Sequence, residues 1–500
     1  MMSYNRGYVK NNYKSYGRKA PATPAIVPNR NRSWSPLQMN IFSFVETCQR
    51  NAFVEALAGT GKTTTLEETA RRIVEKNPKH KVAVVAFSRD IKAEVAARLA
   101  DQKAIKVSTC HSLGFYFSGG KMDNTKMTRI LISLVGPDQD SDYIEQLQDC
   151  VSKMKLTMRP MTANDVDQTI DKYEIDLGNG SERSRNVSIV LKAMEESKKQ
   201  TGVVDYNDML WLPLQNGKVR PLYDQILVDE FQDLNRAQFL LIKGALKPGG
   251  RIVAFGDAHQ RIYSFAGADE EVIPNFISEM NAATLPLSIT YRCPKAVVEL
   301  AKEIVPQIEA PDTAPEGLVK DVAFEDAIMD VRPGDFFLSR KNAPLIKMCM
   351  QLIRQGTPAN IRGADISKGL LWMIKKSQAN TVADLMNYLE TWRASEIQRL
   401  SEKNRKYDWV DDKADCLLAF CADANSVDQV KANIRRTFTE GDSSSRVVLS
   451  SVHRAKGSEA NRVFILTETL NRGKDSEEDN LAYVAYTRAK QSLYLVKGMP

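Results

Sequence analysis

Eight residues constrain this chain more than any others: Ala56-Leu57-Ala58-Gly59-Thr60-Gly61-Lys62-Thr63. They follow Phe53-Val54-Glu55, which reads as the end of a strand, and precede a helix-like run from Thr64 to Val74. A glycine-rich loop between a strand and a helix lets backbone N–H groups close on phosphate oxygens at the positive end of the helix. Residues 58–64 (Ala58, Gly59, Thr60, Gly61, Lys62, Thr63 and Thr64) would surround the phosphates. Within them, Lys62 would reach the β- and γ-phosphates and the Thr63 hydroxyl would ligate Mg²⁺. The strict pattern has glycine where Ala56 stands.

A second segment turns binding into chemistry. Ile226-Leu227-Val228 runs directly into Asp229-Glu230-Phe231-Gln232-Asp233. A carboxylate at the end of a buried strand can hold Mg²⁺ beside phosphates, the role expected of Asp229. Glu230 is then placed to orient and activate the attacking water. On its own such a stretch is a common solvated acidic loop. In one chain with a phosphate loop, it points to nucleoside triphosphate hydrolysis.

Further buried-strand patterns occur at 82–87, 225–228, 251–255, 447–449 and 463–466, with helical stretches between them. Strands alternating with helices predict an α/β fold with parallel sheets covered by helices. The segments 112–204 and 363–443 are polar, helix-rich and without a strand series, so they are expected to be insertions into two sheet domains. The boundaries are then 34–111 with 205–288, and 289–362 with 444–500. Residues 1–33 differ from the rest. They carry Arg6, Lys10, Lys14, Arg18, Lys19, Arg30 and Arg32, no acidic residue, and four tyrosines among Asn, Gly and Ser. Such a stretch cannot bury a core and is expected to be disordered, either a nucleic-acid tether or a solubilising tail.

The net charge of +7 suits a polyanionic partner without identifying one. Seven scattered cysteines with no C-x-x-C pair argue against a disulfide framework and for a reducing compartment. No apolar stretch is long enough to span a bilayer, so neither membrane nor export is expected.

In order and context, these segments resemble the superfamily 1 helicases of the UvrD/Rep/PcrA-like branch, from about Trp34 onward. Ser35-Pro36-Leu37-Gln38 is similar to the family's adenine-reading segment. Phe87-Ser88-Arg89 and Ser108-Thr109-Cys110-His111-Ser112 are similar to its DNA-touching segments. The stretch Gly256 to Tyr263, continuing through Phe265, resembles its coupling motif. Tyr291-Arg292 resembles the start of its second lobe, and Ser339-Arg340-Lys341-Asn342 a further DNA segment. His453-Arg454-Ala455-Lys456-Gly457-Ser458-Glu459 fits the family's H-x-A-K-G-x-E element, and Leu481 to Ala489 its last motif.

The resemblance implies two RecA-like P-loop domains, each with a mainly helical insertion, that sandwich ATP and Mg²⁺. It implies Gln38 and Tyr291 at adenine, Glu459 at the ribose, and Gln260, Arg292 and Arg488 at the γ-phosphate. Phe87, Ser88, Arg89, Thr109, His111, Tyr263, Phe265, Arg340, Asn342 and His453 would face DNA. Taken singly, each arginine would be a surface residue and each aromatic a core residue. The expected function is an ATP-dependent helicase moving 3′→5′ on single-stranded DNA and at single/double-strand junctions, as a cytoplasmic monomer. The same motor could strip proteins without unwinding, act as a nucleotide-switched scaffold, or run on RNA. With little sequence after Arg488, no appended nuclease domain is expected.

Overall fold

The computed structural model describes residues 33–264, 267–402, 407–422, 424–438 and 445–499. All of the basic tail except Ser33, and Phe265 with its expected stacking role, lie outside them. The first strands are β1 (Ala52–Ala56), β2 (Val82–Ala86) and β3 (Ile105–Thr109). β4 (Lys121–Met122) and β5 (Val203–Val204) form a two-residue pair in a region expected to be free of strands. β6 (Tyr223–Val228), β7 (Leu246–Gly256) and β8 (Ala283–Leu287) complete the first sheet, in the order β3-β2-β6-β7-β1-β8. A second six-stranded sheet takes β9 (Leu318–Ala323), β10 (Phe336–Ser339), β11 (Ala359–Ile361), β12 (Val447–Ser451), β13 (Ala460–Leu466) and β14 (Ala489–Lys497), in the order β11-β12-β10-β13-β14-β9.

Every pairing in both sheets is parallel. Alternate residues feed opposite faces. Phe53, Ala83, Val85, Ile226 and Ala254 enter one core, while Val54, Val82, Val84, Leu227 and Val253 enter another. The second sheet repeats this with Phe337, Val447 and Leu449 against Phe336, Leu338 and Val448. Burial on both faces is why the central strands read as unbroken apolar runs.

The two helical segments are built differently. Helices Lys126–Val135, Ser141–Thr157, Ala163–Lys172 and Gly180–Lys199 close on a core of their own. Asp208 anchors that body: its carboxylate takes Lys126 Nζ and Lys155 Nζ, each at 2.6 Å, all three side chains being buried. The second segment shares one core with the second sheet, joining Leu370, Leu385, Leu417 and Val430 to Phe337 and Leu449. Among the described residues, no helix is long and apolar enough to cross a membrane.

Candidate nucleotide and nucleic-acid site

Parallel strands deliver the loops after their carboxyl ends to one edge, where α/β sheets bind ligands. The phosphate loop follows β1, Phe87 follows β2, His111 follows β3, Asp229 follows β6 and Asp257 follows β7. Arg340 follows β10 and His453 follows β12. The candidate residues of the two lobes therefore gather at two facing sheet edges.

The phosphate loop turns on Gly59 and Gly61, with φ of 75° and 78°, the left-handed region that glycine enters freely. Ala56, where the strict pattern has glycine, is the buried last residue of β1 and is not among the residues of positive φ, so it needs no glycine. The helix Lys62–Lys76 starts at Gly61 and buries Leu66, Ala70, Ile73 and Val74 along one face. Thr63 and Thr64 lie in its first turn. Gln38 has both ends of its amide engaged: Nε2 donates to Thr65 Oγ1 at 2.9 Å and Oε1 accepts from Ser35 N at 3.0 Å. It thus borders the loop as the third residue of the helix Pro36–Thr47, in a capping box with Ser35.

Lys62 Nζ lies 2.5 Å from Glu230 Oε2 and 3.6 Å from Asp229 Oδ1. Burial works to discharge this ammonium, but Glu230 and Asp229 overcome it and hold its pKa above the usual lysine value. Burial likewise opposes ionisation of Glu230, which Lys62 and Lys456 nonetheless bring down to about 2. Asp229 is raised by burial against the pull of Lys62. Its Oδ2 is buried with no hydrogen-bond partner, an acceptor left open in a dry site. That orphaned oxygen, with Thr63 on the adjacent turn, fits a divalent cation. Gln260, on the turn Ala258–Gln260, donates to Asp257 Oδ2 at 2.7 Å.

Across the cleft, Tyr291 N donates to Gly59 O at 2.8 Å, and the Tyr291 ring is 55% exposed. A Cβ on Gly59 would lie 2.4 Å from Thr290 Oγ1 and 2.6 Å from Arg292 Cβ, so the lobes meet at the loop. Arg292 Nε donates to Glu459 Oε2 at 2.6 Å, which pairs the two residues expected at the γ-phosphate and the ribose with each other. Burial works against that carboxylate, yet Arg292 and Lys490 hold it below its usual range. Arg488 is 1% exposed and bonds within its own lobe, to Val484 O at 2.8 Å and Ser458 O at 3.2 Å. Burial, and then the like charge of Arg292, lowers it to about 10.

A second set of residues forms an aromatic and cationic row. The Phe87 ring, 41% exposed, stacks on Tyr263 with centroids 6.3 Å apart. Ser88 and Thr109 cap helices, accepting from Ile91 N and Ser112 N at 3.2 Å each. Arg89 opens the helix Arg89–Arg98 beside His111. Burial, then Arg89, pushes the His111 imidazole down to about 4. In the second lobe, burial with Arg340, Arg454 and Lys456 does the same to His453. The rows meet where Tyr263 Oη donates to His453 O at 2.9 Å. Arg340 pairs with Glu478, and Asn342 is turned toward Asp412, donating from N at 3.0 Å and from Nδ2 at 3.1 Å.

Four further residues enter this site that the sequence did not single out. Gln232 joins the acidic segment to the Gln260 turn, donating to Glu230 Oε2 at 2.6 Å and accepting from Asp257 N at 3.1 Å. Tyr206, half-exposed, stacks on His111 at 3.8 Å. Lys456 reaches Asp233 Oδ2 at 2.5 Å, and the Tyr483 hydroxyl accepts from Ala58 N at 3.0 Å. Lys456 and Tyr483 stand inside segments recognisable from sequence, but their partners lie in the other lobe.

The profile of the UvrD/REP helicase N-terminal domain matches residues 37–281, and that of the UvrD-like helicase C-terminal domain matches residues 446–496. Over 476 residues the chain is 23% identical to the probable DNA helicase of Mycoplasma pneumoniae, a match covering 88% of this chain and 79% of that protein. It is 26% identical over 280 residues to DNA helicase II of Salmonella typhimurium, 51% of this chain and 38% of that protein. It is 23% identical over 312 residues to ATP-dependent DNA helicase PcrA of Staphylococcus epidermidis, 56% and 40% of the two chains. The chain thus spans about two fifths of the length of these last two relatives.

Proposed function

The chain belongs to the UvrD/Rep/PcrA-like superfamily 1 helicases, and from that premise we propose that it is an ATP-driven motor that travels 3′→5′ along single-stranded DNA and unwinds duplex ahead of it. The observation that carries the motor reading is the juncture at Tyr263; the 3′→5′ direction rests on the family resemblance alone. That ring stacks on Phe87, hydrogen-bonds the second lobe at His453, and lies three positions from Gln260 beside the phosphate loop.

In this reading 34–111 with 205–288 is the nucleotide-binding lobe, and 289–362 with 444–500 the second. Lys62 leaves its carboxylate partners to meet the β- and γ-phosphates, freeing Glu230 to orient water. Asp229 and Thr63 would hold Mg²⁺, which supplies charge compensation at the phosphates. Arg292, released from Glu459, and Arg488 bring positive charge from the second lobe, so turnover requires lobe closure. Glu459 is then free for the ribose, while Gln38 and Tyr291 flank the adenine. Phe87 and Tyr263 grip bases by stacking, worth about 1–3 kcal/mol per base and indifferent to sequence, as a motor needs. His111, Arg89, Arg340, Asn342 and His453 line the same path.

The test is ATP turnover with and without single-stranded DNA, combined with strand release from 3′-tailed and 5′-tailed duplexes. Stimulation with release from the 3′-tailed duplex alone is expected. Stimulation without release would favour a protein-stripping translocase. Stimulation by RNA in place of DNA would reassign the track. Lys62→Ala should abolish hydrolysis, and wild-type turnover in that variant would refute the site.

A further inference from the structure

The turn that carries Gln260 is part of the first lobe by chain continuity, yet its carbonyls bond to the second. Lys456 Nζ donates to Gln260 O at 2.7 Å. Asn480 Nδ2 donates to Arg261 O at 3.1 Å and to Ala258 O at 3.5 Å. The Tyr483 hydroxyl lies 3.5 Å from Asp257 Oδ2 while accepting from the phosphate loop at Ala58 N. Ile262 packs into the second lobe's core. The first lobe holds the same turn through Gln232 at Asp257 N and Glu270 O at Arg261.

Lys456 makes three contacts at once. Its ammonium pairs with Asp233, on the segment that carries Glu230, and bonds the backbone of Gln260. It also lies 4.9 Å from the centre of the Tyr263 ring, which stacks on Phe87. Its side chain is 8% exposed and that of Asp233 1%. With both groups so deeply buried, removing either one would leave the other's charge unpaired where water cannot replace its partner.

We propose that Lys456 is a positioning residue that couples the nucleotide site to the grip on bases. When the lobes part, its ammonium draws the Gln260 turn and the Tyr263 ring with the second lobe. When they close, it returns both to the phosphate loop and to Phe87. One cation thereby ties the γ-phosphate-sensing turn and the stacking ring to the same movement.

The inference rests on the motor reading, and its test separates the two. ATP turnover is measured across oligo(dT) concentrations for wild type, Lys456→Met, Lys456→Arg and Asp233→Asn, with melting temperatures for each. Lys456→Met is expected to lower maximal DNA stimulation about tenfold while shifting the KM for ATP less than about threefold. Lys456→Arg, which keeps the charge, should recover most of the stimulation. The near-isosteric Asp233→Asn should reproduce the loss, and it carries the test if Lys456→Met fails to fold. The double variant should be no worse than either single change, as for two ends of one interaction. Equal stimulation in wild type, Lys456→Met and Asp233→Asn would overturn the inference and leave the motor reading standing. A loss that Lys456→Arg does not restore, with KM rising in parallel, would also overturn it. A wild type that DNA does not stimulate would sink both.

Discussion

Glu230 has φ 50° and ψ 46°, a left-handed backbone that costs a residue with a side chain about 1–3 kcal/mol. The neighbouring bonds hold it there: its N donates to Asp229 Oδ1 at 3.0 Å, and Gln232 and Lys62 fasten its carboxylate. The strain aims into the cleft an acid that Lys62 and Lys456 hold ionised while Lys62 is paired with it. Glu230→Gln keeps that shape and removes the base. It should bind nucleotide with near-wild-type affinity and turn over roughly 10²–10⁴-fold more slowly. A fluorescent ATP analogue and a phosphate-release assay would show both, and loss of binding would contradict the assignment. His453 gives a pH prediction. Burial and three cations lower its folded pKa from 6.5 to about 4, so the unfolded chain takes up the proton first. Its contribution is complete above pH 6.5 and is lost as pH falls toward 4, up to about 3 kcal/mol. Asp233, raised by burial to about 6, works in the opposite direction. Comparison with His453→Asn isolates the imidazole, because Asp233 is common to both proteins. Wild type should lose more melting temperature between pH 7.5 and pH 5 than His453→Asn, and equal losses would refute the argument.

At the scale of elements, legibility followed burial and locality. β2, β6, β7, β12 and β13 are sandwiched between helices and announce themselves as apolar runs. β8 and β9 lie at sheet edges; β8 carries Pro286, tolerated there, and β9 has no buried residue, so neither has a two-sided pattern. β10 is equally buried and apolar over Phe336–Leu338, yet it was not marked in the sequence. The phosphate loop and the acidic segment were legible because their chemistry is written in consecutive residues. Contacts such as Lys456 to Asp233, 223 positions apart, leave no local trace. The first helical segment shows the same blindness in its core. Lysine and aspartate are mostly exposed residue types, whereas the fold buries Lys126, Lys155 and Asp208. Truncating one member of such a network leaves uncompensated charge in a dry interior. Asp208→Ala should cost about 3–5 kcal/mol, read as a lowered urea midpoint. A change below about 1 kcal/mol would mean that water reaches the two ammonium groups.

The whole molecule has an uneven charge plan. The seven cations of residues 1–33 equal the chain's net charge of +7, so the remaining residues are neutral as a body. In the proposed reading, residues 34–500 carry no net charge to draw DNA from a distance and would hold it through the local row of aromatics and arginines. Any general attraction then belongs to the tail. Each phosphate neutralised on a single strand releases counterions and adds about 0.7 to the magnitude of the slope of log affinity against log salt. Deleting residues 1–33 should therefore flatten that slope, by up to about 5 if all seven cations engage, and weaken binding most at low salt, where the Debye length is long. Base stacking responds little to salt, so the truncated protein should keep only the shallower slope set by the arginines of that row. Fluorescence anisotropy of a labelled oligo(dT) between 25 and roughly 300 mM salt measures both quantities. If slope and affinity are unchanged while the truncated protein precipitates more readily, the tail serves solubility, as expected when a body of zero net charge loses its charged extension.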